Sequence, residues 1–270
     1  MQKQFVVALL LVLGTLQSHG QCNDVNKAFK AGEDVRYHAY YNWGFIWLNA
    51  GQVSFTVDAI KVGKTPAYHL KAHGATYSSY DKLYKVRDTF ETKVDRLHLE
   101  PFEFKRITNE GSYKANYLYK FNRKTRTINA SIQKEKEPRK NTSFTWKDCS
   151  FDLLTMVYKA RNIDYSLYNT NEKIPISMVV DGEIHDIYIR YLGKETIKNR
   201  DGRKFRCLKF SPLLVEGTIF ESGEDMTVWV TDDANRIPII VEAKILIGSV
   251  KAVFISAKNT RHPITAEIID

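Results

Sequence analysis

The sequence predicts a mainly β protein: a strongly curved antiparallel sheet or partly closed β-barrel, with one principal helix packed against it. Three observations carry that expectation. Apolar residues alternate with period two along most of the chain, turn dipeptides such as Asp181-Gly182 separate the alternating runs, and a single stretch has helical spacing. Of the 270 residues 43% are hydrophobic and 12% aromatic, with 14 Gly and 7 Pro, which excludes a disordered or collagen-like chain. Three cysteines are too few to hold a disulfide-built fold, so the core must be hydrophobic.

The elements follow in order. From Asp34 to Asp58, Val35, Tyr37, Ala39 and Tyr41 share one face, and Val53, Phe55 and Val57 resume the alternation after Gly44 and Gly51, which reads as two strands or one strand bent at its glycines. The turn at Val62-Gly-Lys-Thr-Pro66 leads to a strand over 67–76, and Ser78 to Tyr84 reads as one or two helical turns. A meander follows over 85–94, 102–108, 113–121 and 126–133, with hairpin chemistry at Asn109-Glu-Gly111 and Asn122-Arg-Lys124. Pro138 to Asn141, inside the charged run Lys134 to Lys140, reads as an exposed connection. Ser150 to Asn162 is the helix, capped by Ser150 or Asp152, with Leu153, Leu154, Val157 and Tyr158 at i, i+3, i+4 spacing. Strands at 174–180, 184–192, 205–210, 226–231, 238–247 and 250–258 complete a single domain over 21–270. In the last two, Ile240, Leu246, Val253 and Ile255 alternate with Ile239, Val241, Ile245 and Phe254, so both faces are expected to be covered.

Residues 1–20 read as a secretory signal peptide: Lys3, the apolar run Phe5 to Leu13, then Ser18-His19-Gly20 with small residues where signal peptidase inspects the chain. That run is too short to span a bilayer, and no later segment reaches the ~20 apolar residues of a transmembrane helix. Gln21 and His19 stand where a lipoprotein signal carries a small and an aliphatic residue, so the expectation is export without a lipid anchor at Cys22. Loss of Lys3 lowers the formal charge from +9 to +8, suited to anionic envelope material and, after export, not to nucleic acid. An oxidising compartment permits one disulfide among Cys22, Cys149 and Cys207, and the spacing does not choose the pair.

Catalytic signatures are missing. There is no zinc-protease spacing, nucleophile elbow, phosphate loop or dinucleotide fingerprint. His69 and His73 lie on one strand about 13 Å apart, too far to share a metal ion. Asp232-Asp233 sits in a turn between strands, where Asp and Asn serve the backbone. Neither a cofactor nor a metal is expected. The aromatic residues say more: Tyr37, Tyr40, Tyr41, Trp43, Phe45 and Trp47 fall within eleven residues, and Tyr41, Trp43 and Trp47 are the candidate ligand-binding residues at a strand end, against the plainer reading that they are core. Tyr113, Tyr117 and Tyr119, interleaved with Lys114, Lys120, Arg123 and Lys124, form a second aromatic and basic ribbon, read most simply as a solvated hairpin.

Four motifs resemble one family. They are Tyr41-Asn-Trp-Gly-Phe-Ile-Trp-Leu-Asn-Ala-Gly51, Asp152-Leu-Leu-Thr-Met-Val-Tyr-Lys-Ala-Arg161, Gly202-Arg-Lys-Phe-Arg-Cys-Leu-Lys-Phe210 and Trp229-Val-Thr-Asp-Asp-Ala-Asn-Arg-Ile-Pro238. In this order they are similar to the bacterial exported family called domain of unknown function 3108. The resemblance implies a periplasmic or envelope protein of a Bacteroidetes-like bacterium on a curved antiparallel sheet, and no activity. The functional expectation is non-catalytic binding or carriage of an apolar or amphipathic ligand, lipid or glycan. An envelope scaffold that meets another protein is the alternative, and an envelope-polymer-modifying enzyme the third reading.

Overall fold

The computed structural model describes residues 24–43, 46–215, 223–245 and 248–269. The expected signal peptide over 1–20, Cys22, Gly44, Phe45, Ser222, Leu246 and Ile247 therefore lie outside the described residues. The strands are β1 (Asp34–Trp43), β2 (Ile46–Val62), β3 (Thr65–Thr76), β4 (Arg87–Asp95), β5 (Pro101–Glu110), β6 (Tyr113–Asn122), β7 (Thr127–Lys134) and β8 (Lys140–Thr145). Then come β9 (Ser150–Asp152), the helix α1 (Leu153–Ala160), β10 (Lys173–Val180), β11 (Glu183–Lys198), β12 (Lys204–Pro212), β13 (Met226–Thr231), β14 (Pro238–Lys244), β15 (Ser249–Lys258) and β16 (Glu267–Ile268). All belong to one curved, unclosed sheet that runs β8-β7-β6-β5-β4-β3-β2-β1-β15-β14-β13-β12-β11-β10-β9, with β16 paired to β12. Among the described residues only β9 and β10 pair in parallel.

The mainly β expectation therefore holds, and the departures have physical causes. The charged connection before Asn141 gives way to β8, whose residues are half-buried at most and which ladder hydrogen bonds to β7 hold in place. The helix is shorter than its spacing suggested, because Ser150, Phe151 and Asp152 pair with β10 before Asp152 caps it: its carboxylate accepts the Thr155 amide at 2.9 Å. Ser78 to Tyr84 forms turns instead of helix. Leu153 and Val157, expected inward, are more than a third exposed, while Leu154, Thr155, Met156, Tyr158 and Lys159 are buried.

The concave side of the sheet is filled with side chains. One cluster lies under β3 to β7 and takes Leu154 and Tyr158 from α1; a second joins Phe151, Met156 and Tyr165 to β10 through β13. A third packs Tyr37, Phe205, Ile239 and Phe254 between β1, β12, β14 and β15. Residues 24–33 run ahead of β1 as a strap over α1: Phe29 meets the Tyr158 ring with centroids 4.7 Å apart, and Asn162 accepts the Lys27 amide at 2.7 Å.

Candidate functional site

The aromatic segment lies on the hairpin of β1 and β2, and its register decides what it can do. Tyr41 pairs with Leu48 and Val250 on the core-facing side, whereas Trp47 pairs with Asn42 one position on, across the sheet from Tyr41. Trp43 ends β1 and pairs with Ile46. Tyr41 and Trp47 thus open onto different surfaces. On the outer face Trp47 carries the Lys251 ammonium 4.5 Å from its ring centre, and Tyr40 carries the Arg200 guanidinium at 4.3 Å. His38 completes this outer cluster, its Nδ1 3.0 Å from the Tyr77 hydroxyl. The register shift between Ala39 and Tyr40 beside Gly51 fits the bulge expected of that glycine.

Several ionisable side chains sit inside the fold, Glu110, Asp152, Glu33 and Arg161 among them. Burial, together with the hydrogen bond and charge of Asp88, pushes the Glu110 carboxyl up to about 7, while Arg106 opposes the rise. Asp88 also accepts the Asn109 amide at 2.9 Å, which ties this carboxyl pair into the β4–β5 ladder. Asp152 accepts both Thr155 and Thr92 hydroxyls. Glu33 and Arg161 form a buried two-bonded ion pair at 2.6 and 2.9 Å. Each has a structural partner set. The Asp233 carboxylate, read as a turn former, accepts from the Asn235, Thr265 and Ala266 amides and from the Thr231 hydroxyl. Among the described residues no three His, Cys, Asp or Glu side chains gather as a metal site, and His69 and His73 bond Glu91 and Thr89 instead.

The outer face of β5 to β8 is different in kind. Two open recesses, of about 420 and 410 Å³, adjoin there and share Lys120 and Asn129 in their lining. Register sets side chains in rows across the strands: Glu103, Lys120, Asn129 and Ser143 form one, and Lys105, Leu118, Ser131 and Asn141 the next. The tyrosines of the basic ribbon do not share this face. Tyr117 and Tyr119 are buried in the core and Tyr113 is half-buried, while Lys114 and Lys120 are exposed. Period-two reading of β6 separates those two sets; the rows appear only once the strands are in register.

Among the described residues no helix is long and apolar enough to cross a membrane. The chain is similar in fold to a beta-barrel-like protein of domain of unknown function DUF1849 from Brucella abortus, known from a crystal structure. The TM-score is 0.54 and the identity 7%, over 86% of this chain and 99% of that one. Comparison with curated proteins finds no match. The family model for DUF3108, a protein of unknown function, matches residues 36–255, and the chain belongs to that family.

Proposed function

We propose that the chain is an exported, non-catalytic binding protein of the cell envelope, and that it engages its ligand on the surface of the sheet, not in a chamber within it. The observation that carries this reading is the filled concave side: buried Phe, Tyr, Leu and Ile side chains of three clusters occupy the space where an acyl chain would lie in a carrier. The leader-like first twenty residues, the charge of +8 without Lys3 and the disulfide at Cys149 support an oxidising, envelope destination. The expected outcome is a protein that emerges from purification free of lipid in native mass spectrometry, yet whose tryptophan fluorescence responds to envelope glycan fractions. An acyl chain retained through purification would instead establish carriage, and indifference to every envelope fraction would end the binding reading. The scaffold reading is favoured by one observation, the outer edge of β8, which ends the sheet path next to the charged run from Lys134. Cross-linking in envelope fractions tests it by capture of a protein partner at β8.

A further inference from the structure

We infer that the outer face of β5 to β8 binds an acidic polysaccharide, an inference that rests on the surface-binding reading and gives it a place and a ligand class. Charge is the first ground. Elsewhere some exposed lysines have carboxylate partners, as Lys71 has Asp58 and Lys194 has Asp232, and the unpartnered ones, such as Lys61 and Lys64, do not line a recess of this kind. On this face Lys105, Lys114, Lys120 and Lys124 are exposed, and among the described residues none of them has a carboxylate within 4.0 Å. The one carboxylate at an outward position of these four strands, Glu103, is held by Lys93 at 2.8 Å. Arg139 folds back onto the same face, reaching Gln133 at 3.0 Å. An uncompensated positive surface of this kind concentrates polyanions.

The second ground is the chemistry between the lysines. Asn129 and Ser143 stand in one row and Ser131 and Asn141 in the next, neighbours within a row about 4.8 Å apart as neighbouring strands are, and amide and hydroxyl side chains both donate and accept hydrogen bonds. A chain of sugar hydroxyls with regular carboxylates needs that mixture. The two recesses share Lys120 and Asn129 in their lining and so adjoin as one open path over these side chains. Nucleic acid fits less well, since Tyr117 and Tyr119 face the core and Phe102, the aromatic in the lining, already lies 3.8 Å under the Arg123 guanidinium, leaving no stacking platform. A bilayer fits less well too, because these outward positions offer amides and hydroxyls where an inserting surface carries exposed apolar groups.

The test uses the full chain, expressed through its own leader, with polygalacturonate as probe and neutral dextran, phosphatidylglycerol vesicles and single-stranded DNA beside it. Binding to polygalacturonate is expected in dilute salt and is expected to weaken at least tenfold near 0.5 M salt. The triple variant Lys105→Gln/Lys120→Gln/Lys124→Gln and the single Asn129→Asp, all at exposed positions, are each expected to lose at least tenfold in affinity with unchanged thermal melting. The control Lys61→Gln/Lys64→Gln/Lys82→Gln removes as many exposed lysines elsewhere and is expected to stay within twofold. Equal loss in the control would mean that net charge alone binds, and would overturn the site. Vesicle or DNA binding as tight as polygalacturonate binding, abolished by the same variants, would overturn the ligand class. If polygalacturonate fails while envelope glycan fractions still change the tryptophan fluorescence, this inference falls and the surface-binding reading stands; if both fail, the broader reading falls as well.

Discussion

A methyl group at residue 51 has nowhere to go: a Cβ built on Gly51 would lie 2.2 Å from the Ala75 carbonyl oxygen of the neighbouring strand. At Gly74, on that same neighbour, the nearest atom is a Val53 methyl at 3.9 Å, an ordinary contact. Gly51→Ala is therefore expected to destabilise by roughly 1–3 kcal/mol, and Gly74→Ala to be neutral or slightly stabilising, as unfolding melts will read. Asp152 makes a second residue-scale prediction. Burial pushes its carboxyl up to about 6 against the hydrogen bonds of Thr155 and Thr92, which favour the anion. The folded state then keeps a proton that the unfolded chain releases near pH 4, so this contribution is whole below pH 4 and is lost as pH rises through about 6. Glu110, pushed up to about 7, acts in the same direction. Stability is expected to fall by on the order of 1–3 kcal/mol between pH 4 and 7, and the slope to flatten in Asp152→Asn/Glu110→Gln. Glu224, held down to about 2 first by its hydrogen bond from Arg190, acts in a separate window: its contribution is lost as pH falls through about 2. An unchanged slope in the double variant would sink the assignment.

At the scale of elements, α1 is fastened by Arg161, the residue that caps its C-terminus. The Arg161 guanidinium meets Glu33 of the strap through two bonds and donates to the Asn235 carbonyl at 3.0 Å, so one side chain joins strap, helix and the β13–β14 turn. Removing one partner leaves the other charge buried and alone. Arg161→Met is expected to cost about 3–5 kcal/mol, with much of that recovered in Glu33→Leu/Arg161→Met; a double-mutant cycle in urea measures it. Arg161 falls at the end of the helix expected over 150–162, but its partner lies 128 residues away and no local pattern points to it. The same holds more widely. Strands with one buried face announce themselves by alternation, as β6 and β7 do, because the core selects every second residue. β8 lacks that signal, with exposed Asn141, Ser143 and Thr145 between half-buried Thr142 and Phe144. β9 is hidden because its Asp152 doubles as a helix cap. The candidate surface was half legible: the lysines of β6 stand out in one strand, but their rows with Asn129, Ser143 and Asn141 come from pairing that only the fold supplies.

At the scale of the whole molecule, the sheet path begins at β8 and ends at β9, two strands that only residues 146–149 separate in sequence, so its two ends are brought together without a closing ladder. Side chains make the seam. Trp146 is buried, with its ring 5.1 Å from Phe121 and 3.9 Å from the Arg126 guanidinium, and its Nε1 donates to the Ser150 carbonyl at 2.9 Å. Cys149, three residues on, is disulfide-bonded. Trp146→Ala should cost about 3–5 kcal/mol through the lost contacts and the cavity. A distant thiol can tell whether that loss spreads. Cys207 on β12 is free and 1% exposed, and burial first, then the nearby Asp232, Asp233 and Glu195, push its thiol up to about 12, so it is inert to alkylation while folded. Without reductant the Cys149 disulfide stays closed, and labelling of Cys207 reports opening of the third core cluster. If the seam and that cluster unfold as one cooperative unit, labelling in Trp146→Ala should accelerate by the factor that the urea-derived stability loss dictates. An unchanged labelling rate beside a lowered urea midpoint would show that β8 opens alone, and that the two ends of the sheet are separate units despite their contact.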